Sequence, residues 1–331
     1  MKIHFDIIHM CHLNFFKNAI YKFKEDGHEI NITYLNRGEI KKVLEKEFPD
    51  FELTEIGNKY SPTTLGKIPM ILDRAKLLYE YLKKEKPDIT AGVGDFILAF
   101  CSKLRGIPCV LFYDDYEFKI NYKLSKLFAS KLVIPDAIKD EGSNIIKYHS
   151  FKELAYLHPD IYKPDIKVIK KLGLKKGKYV FIREASDISM NYAGKDVGLL
   201  KEIKKLYEQG KTVVVSLEDK SKELLYSVYA IILQEPLDDI YSIMAFAKYG
   251  ISSGDSMARE MALLGIKCKY TGGRDMMINR PFTRGNTRRT FEPIDVKKYE
   301  NTTEVIMNTL VNVYNAKNEY FNRYVNSVGR R

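Results

Sequence analysis

The sequence predicts an α/β protein made of two parallel-sheet units in succession. Three observations carry this. Short apolar runs alternate with amphipathic stretches of helical length, as βαβ units require. The alternation stops between Tyr148 and Lys176 and then resumes. The chain has 331 residues, more than one core usually organises.

In the first half, strands are expected at Ile3–Ile8, Glu29–Tyr34, Phe51–Ile56, Asp88–Ala91, Cys109–Phe112 and Lys131–Ile134. Each is a short apolar or β-branched run bounded by charged or turn residues. Helices are expected near Asn14–Glu25, Glu39–Lys46, Ala75–Lys84, Phe96–Leu104 and Tyr122–Ala129, where apolar residues return every three or four positions. The stretch from Tyr148 to Lys176 holds Pro159, Pro164 and a run of lysines without a period, and reads as a linker. Strands then resume at Tyr179–Arg183, Thr212–Ser216, Tyr229–Leu233, Tyr249–Ser252 and Ile266–Tyr270. Their helices fall near Gly198–Gln209, Ser221–Tyr226, Asp238–Phe246 and Ser256–Leu264. A long helix from about Thr303 to Val328 closes the chain. The domain reading is 1–150, a linker 151–176, a second domain 177–302 and the final helix 303–331.

The most informative stretch runs from Tyr249 to Lys269. Ser252-Ser253-Gly254-Asp255 forms a turn of small residues, and Ser256 is expected to cap the helix that follows. Gly265 then ends that helix in the C′ position. Such a turn aims unpaired backbone N–H groups and the positive end of the helix dipole at one point, which suits a phosphate. Glu260, one turn into the helix, is placed to accept hydrogen bonds from a ribose diol. The plain alternative is a capped and empty βαβ turn.

Composition excludes several classes. No apolar run approaches the roughly 20 residues of a membrane helix. Met1–Phe16 is broken by Asp6 and His9 and reads as a first strand, not a signal peptide. Four scattered cysteines, with no C-x-x-C pair, suggest reduced thiols in a cytoplasmic protein and neither a disulfide frame nor a zinc site. The net charge of +11 favours polyanionic partners. The abundance of Lys, Glu and Ile and the absence of Trp match thermophile-like usage, so part of that charge serves surface ion pairs.

With both halves in view, several segments carry a resemblance. They are HMCHLNFFKNAI, GHEINITY, KKEKPDITAGVGD, RGIPCVLFYDDYE, SKLVIPDAI, YHSFKELAYLHPD, YVFIREASD and SSGDSMAREMALLG, spread over about residues 1 to 270. In order and spacing they resemble the GT-B superfamily. That superfamily includes the nonhydrolysing UDP-N-acetylglucosamine 2-epimerases and the glycosyltransferase that completes the lipid-linked peptidoglycan precursor. More closely, the chain is similar to an archaeal and bacterial family of uncharacterised glycosyltransferase-like proteins. The resemblance implies two Rossmann-like domains facing a cleft, an acceptor side in the first and a nucleotide-sugar side in the second. It also implies a diphosphate bound without an obligatory metal and no cofactor beyond the UDP-sugar substrate. The chain departs from the pattern at Asp255, where relatives place a second glycine. A carboxylate there would repel a diphosphate unless it is turned away.

The resemblance places a general base at His12, which follows the first strand and has an imidazole that titrates near neutrality. A histidine packing at a helix start is the alternative. Asp95 matches the Gly-Asp of the epimerases, where it supplies a catalytic carboxylate; an N-cap for the helix from Phe96 is the simpler reading. Glu117 belongs to the acidic, tyrosine-flanked run Tyr113–Glu117, in which crowded carboxylates can divide acid and base roles. Arg183, at a strand end, is a candidate for diphosphate oxygens, with an ion pair to Glu184 or Asp187 as its alternative. Arg274 and Arg280, with Arg284, Arg288 and Arg289, are candidates for an acceptor phosphate. The segment Ile68–Leu72 either meets an anionic membrane peripherally or is the buried start of a helix.

The expected function is a glycosyltransferase moving a sugar from a UDP-type donor to a lipid-phosphate or glycan acceptor. A UDP-sugar 2-epimerase is the first alternative, with Asp95 and Glu117 as acid and base. The second is a GT-B-like protein without catalysis that binds RNA or a membrane, although nucleic acid is not favoured.

Overall fold

The structure is a computed structural model. It describes every residue except 38–39, 58–63, 115–117, 186–197, 235–236, 238, 284–288 and 329–331, and the side chains of 64–67 and 320–328. The chain divides into two units, 1–156 with 300–331, and 157–299.

The first unit runs β1 (Lys2–Ile7), α1 (Met10–Glu25), β2 (Glu29–Tyr34), α2 (Ile40–Glu47), β3 (Leu53–Glu55), α3 (Thr64–Glu85), β4 (Ile89–Val93), α4 (Phe96–Leu104), β5 (Cys109–Phe112), α5 (Lys119–Phe128), β6 (Lys131–Pro135) and β7 (Ile145–Tyr148). Its seven strands are all parallel, in the order β3-β2-β1-β4-β5-β6-β7. Alternation along β1 explains its two faces. Ile3, Phe5 and Ile7 turn to one side, where Phe5 meets Phe16 of α1 with ring centroids 5.2 Å apart. His4 and Asp6 turn to the other and are equally buried, beneath α3.

The second unit runs α6 (Leu154–Leu157, straddling the boundary), α7 (Ile166–Lys171), β8 (Tyr179–Glu184), α8 (Leu200–Glu208), β9 (Thr212–Leu217), α9 (Glu223–Ser227), β10 (Ile231–Ile232), α10 (Ile240–Ala245), β11 (Tyr249–Ser252), α11 (Asp255–Leu263), β12 (Cys268–Tyr270) and β13 (Thr290–Phe291). Strand order is β10-β9-β8-β11-β12-β13, parallel except for the last pair. Val180, Ile182, Val213, Val215 and Ile251 pack against Ile203 and Leu206 of α8.

Three expectations change. Residues 151–176 are not a free linker: they carry α6 and α7, and Asp165 caps α7 through Lys167 N. The final helix, α12 (Thr302–Val328), belongs to the first unit, where Ile306 and Leu310 join the core beside α1 and Glu304 pairs with Lys22. Ile68–Leu72 is not buried: Ile68 is 56% and Leu72 65% exposed. No helix among the described residues is long and apolar enough to cross a membrane.

Each sheet reverses its winding once, between β1 and β4 and between β8 and β11. Open parallel sheets bind ligands just beyond the strand ends at such points. His12 in α1 follows β1, Asp95 follows β4, Arg183 lies at the end of β8 and Ser253 follows β11, the four strands at these reversals.

Candidate functional site

In the first unit, Gly92-Val93-Gly94-Asp95 leads from β4 into α4. Gly94 adopts φ +58°, a conformation open to glycine at little cost, and this lets the chain turn sharply at the strand end. Asp95 Oδ1 then accepts from Ile97 N at 2.9 Å and Leu98 N at 3.3 Å, so the N-cap reading is correct. It is also incomplete. Asp95 Oδ2 lies 3.1 Å from Arg74 Nη2, and the same nitrogen is 2.5 Å from Asp6 Oδ2.

Arg74 is thus shared by two buried carboxylates and also donates to Ile56 O. Thr33 donates to Asp6 Oδ1 at 2.6 Å, and with its one proton spent it accepts from His4 Nε2 at 2.7 Å. Burial, with Arg74 nearby, drives the His4 pKa down to about 3. Burial also raises Asp95, to about 6; Arg74 opposes this and the Asp6 charge adds to it. Asp95 and Arg74 line a cavity of about 230 Å³ with Ile8, Met70, Ile71 and Asn121.

His12 is on α1 and 8% exposed, and its Nδ1 has no hydrogen-bond partner among the described residues. It lines a cavity of about 40 Å³ with Cys11, Asp114, Tyr148 and Lys152, the last paired with Asp114 at 2.7 Å. Glu117 lies outside the described residues. His12 and Asp95 therefore open on two separate cavities at neighbouring strand ends, not on one.

In the second unit, α11 starts one residue earlier than expected. Gly254 is its N-cap and Asp255 its first residue, so Ser256 does not cap it. Gly265, at φ +83°, fills the C′ position as expected. Gly250 has no room for a side chain, because a Cβ there would sit 1.9 Å from Met261 Sδ. That close approach seats α11 against β11. Ser253 Oγ accepts from Ala185 N at 2.7 Å and ties the turn to the end of β8.

Asp255 is turned inward, 4% exposed. Its Oδ2 accepts from Arg259 at 2.8 Å and its Oδ1 lies 3.4 Å from Arg274. Arg259, 1% exposed, also donates to Asn279 at 2.6 Å and to Ser256 Oγ at 3.2 Å. Arg183 pairs with Glu218 at 2.9 Å and Ser216 at 2.5 Å, and Asp187 lies outside the described residues. Contact with a diphosphate would require it to change partners. Glu260 is buried at 7% exposure, and Arg280 is exposed on a 3-10 turn. Arg259 escaped the sequence reading; its spacing of four from Asp255 on one helix face was the available signal.

A family model described as "protein of unknown function (DUF354)" matches residues 1–303. The chain belongs to this family. An uncharacterised protein of Methanocaldococcus jannaschii is 26% identical over 273 residues, 79% of each chain. Among solved structures, the UDP-N-acetylglucosamine 2-epimerase of Rickettsia bellii superposes with a TM-score of 0.66 at 16% identity, covering 98% of both chains. MurG of Acinetobacter baumannii superposes with a TM-score of 0.55 at 13% identity, covering 95% of this chain and 90% of that one. The fold is the GT-B fold of two Rossmann-like domains.

Proposed function

We propose that the chain is a nucleotide-sugar-dependent glycosyltransferase using a UDP-type donor. The observation that carries this is the clamp on Asp255. With both carboxylate oxygens held by guanidiniums, the residue that departs from the glycine pattern no longer opposes an anion. The Ser253–Ser256 turn and the start of α11 then act as a diphosphate site, and Glu260 takes the ribose. The clamp also removes the main reason for reading the chain as a polyanion binder without catalysis. His12 is the base for the acceptor hydroxyl, because its buried imidazole keeps one nitrogen available. The N–H groups at the start of α11 stabilise the departing UDP, since those of Ser253 and Gly254 are already bonded to Arg183 O and Ser252 Oγ. Calorimetric titration with UDP, GDP, dTDP and CDP tests the donor class. Selective binding of UDP supports the reading, and no binding of any of the four removes it.

One observation favours a second reading, a UDP-sugar 2-epimerase. Asp95 lines the larger cavity with a carboxyl raised to about 6, which suits proton transfer near neutral pH. Incubating a UDP-N-acetylhexosamine in deuterated water decides between the two, since only an epimerase exchanges the proton at C2.

A further inference from the structure

The four cysteines occupy two kinds of surroundings. Cys101, Cys109 and Cys268 are at most 1% exposed. Burial pushes Cys101 and Cys109 up to about 12, and Cys268 higher still. Cys11 is half-buried and opens on the cavity of about 40 Å³ that His12 also lines. It is the second residue of α1, so the backbone N–H groups and dipole of a 16-residue helix lie behind its sulfur. Its Sγ is 3.4 Å from His9 Nδ1, which also accepts from Cys11 N.

The charged and titratable groups around it are His9, which caps α1, His12 within α1, Asp114 after β5, Tyr148 of β7 and Lys152 before α6. Burial raises the Cys11 pKa, but His12 and Lys152 together outweigh it and the net direction is down; Asp114 opposes them. A second observation points to an occupant. His12 Nδ1, nine-tenths buried and without a partner among the described residues, lines the same small cavity.

We propose that Cys11 is a covalent modification site, a nucleophilic thiol that reacts with small hydroperoxides. The cavity sets the class, because a space of about 40 Å³, where one water needs about 10–15 Å³, admits only a molecule of a few heavy atoms. In the step, Sγ attacks one peroxide oxygen, an S–O bond forms and the O–O bond breaks. The departing hydroxide takes up the thiol proton and leaves as water. The sulfur loses two electrons and becomes a sulfenic acid, and the peroxide gains them. His9 Nδ1 holds the thiol proton before the attack. The new S–OH lies in the cavity that His12 lines, where it can reach the unpartnered nitrogen. The site does not depend on the proposed transferase activity.

The test exposes the folded 331-residue chain to hydrogen peroxide, traps sulfenic acid with dimedone and locates the adduct by peptide mass spectrometry. Iodoacetamide labelling is followed in parallel from pH 5 to 9. The expected result is one dimedone adduct, on Cys11, and iodoacetamide labelling of Cys11 at least tenfold faster than of the other three cysteines. His9→Ala slows the neutral-pH rate severalfold and moves the half-rate pH upward. His9 caps α1, so Lys152→Gln serves as the second variant and leaves the cap in place, with the same expected direction. The proposal fails if Cys11 gives no adduct, if a buried cysteine reacts as fast, or if both variants keep the parent pH profile.

Discussion

Each unit buries an arginine–carboxylate cluster beside the switch point of its sheet, and the two clusters have opposite stoichiometry. In the first unit two carboxylates, Asp6 and Asp95, meet on one guanidinium, Arg74. In the second, two guanidiniums, Arg259 and Arg274, meet on one carboxylate, Asp255. Burial, with the Asp6 charge beside it, raises Asp95 to about 6, and the one guanidinium shared between the two acids opposes this only in part. A carboxylate shared between two cations has its charge cancelled, so an anion can approach the helix start above it. The comparison teaches that the same fold repeat can bury opposite charge balances, and on the proposed function the first would suit moving protons and the second holding phosphate.

The largest test of this contrast is Arg74→Met, which leaves Asp6 and Asp95 buried together without a cation. The expected loss is about 3–5 kcal/mol in urea denaturation. A loss below about 1 kcal/mol would show that the two acids are not charge-coupled through Arg74. Asp255→Ala should remove a carboxylate that faces the fully buried Arg259 and lower stability by about 3 kcal/mol in the same measurement. If Asp255→Ala proves neutral, the second cluster does not balance charge as described.

The third test uses pH. Because Asp95 has a raised folded-state pKa, its favourable contribution is complete below the unfolded value near 3.9 and is lost as pH rises through about 6. Asp95→Asn keeps an oxygen for the cap but has no proton to exchange. The stability of the parent relative to Asp95→Asn should therefore fall by on the order of 2 kcal/mol between pH 4 and pH 6. A difference that does not change with pH would sink the account of Asp95 as a carboxyl raised by burial. The smallest effect belongs to Arg274→Ala, which frees one oxygen of Asp255 and should weaken UDP binding by about tenfold, on the order of 1.4 kcal/mol. Asp255→Asn combined with Arg274→Ala should recover it. No recovery would mean that Arg274 acts on the nucleotide and not through Asp255.

The sites were only half legible in the sequence. Asp95 and His12 stood out because they follow strands in short turns, a local pattern. Asp6 did not, since a carboxylate inside β1 reads as an interruption until its cation is known. That cation is 68 positions away along the chain, and Arg74 in sequence looks like a surface charge beside exposed apolar residues. In the second unit Asp255 looked like an obstacle to phosphate. Arg259 could have been noticed at four residues' distance, whereas Arg274, 19 residues on, comes from a loop without periodicity. The capping position moved from Ser256 to Gly254 for a related reason, because Asp255 enters the helix when its side chain turns in to Arg259.

The sequence by itself determined two α/β units, most of their strands and the break in periodicity between them. These follow from periodicity and turn chemistry, which act over a few residues. Tertiary structure alone decided which unit α12 covers, which charges are buried, and which of them share a partner. An apolar stripe states that a helix is covered without stating by what, and the charge state of a carboxylate depends on cations brought to it by distant segments.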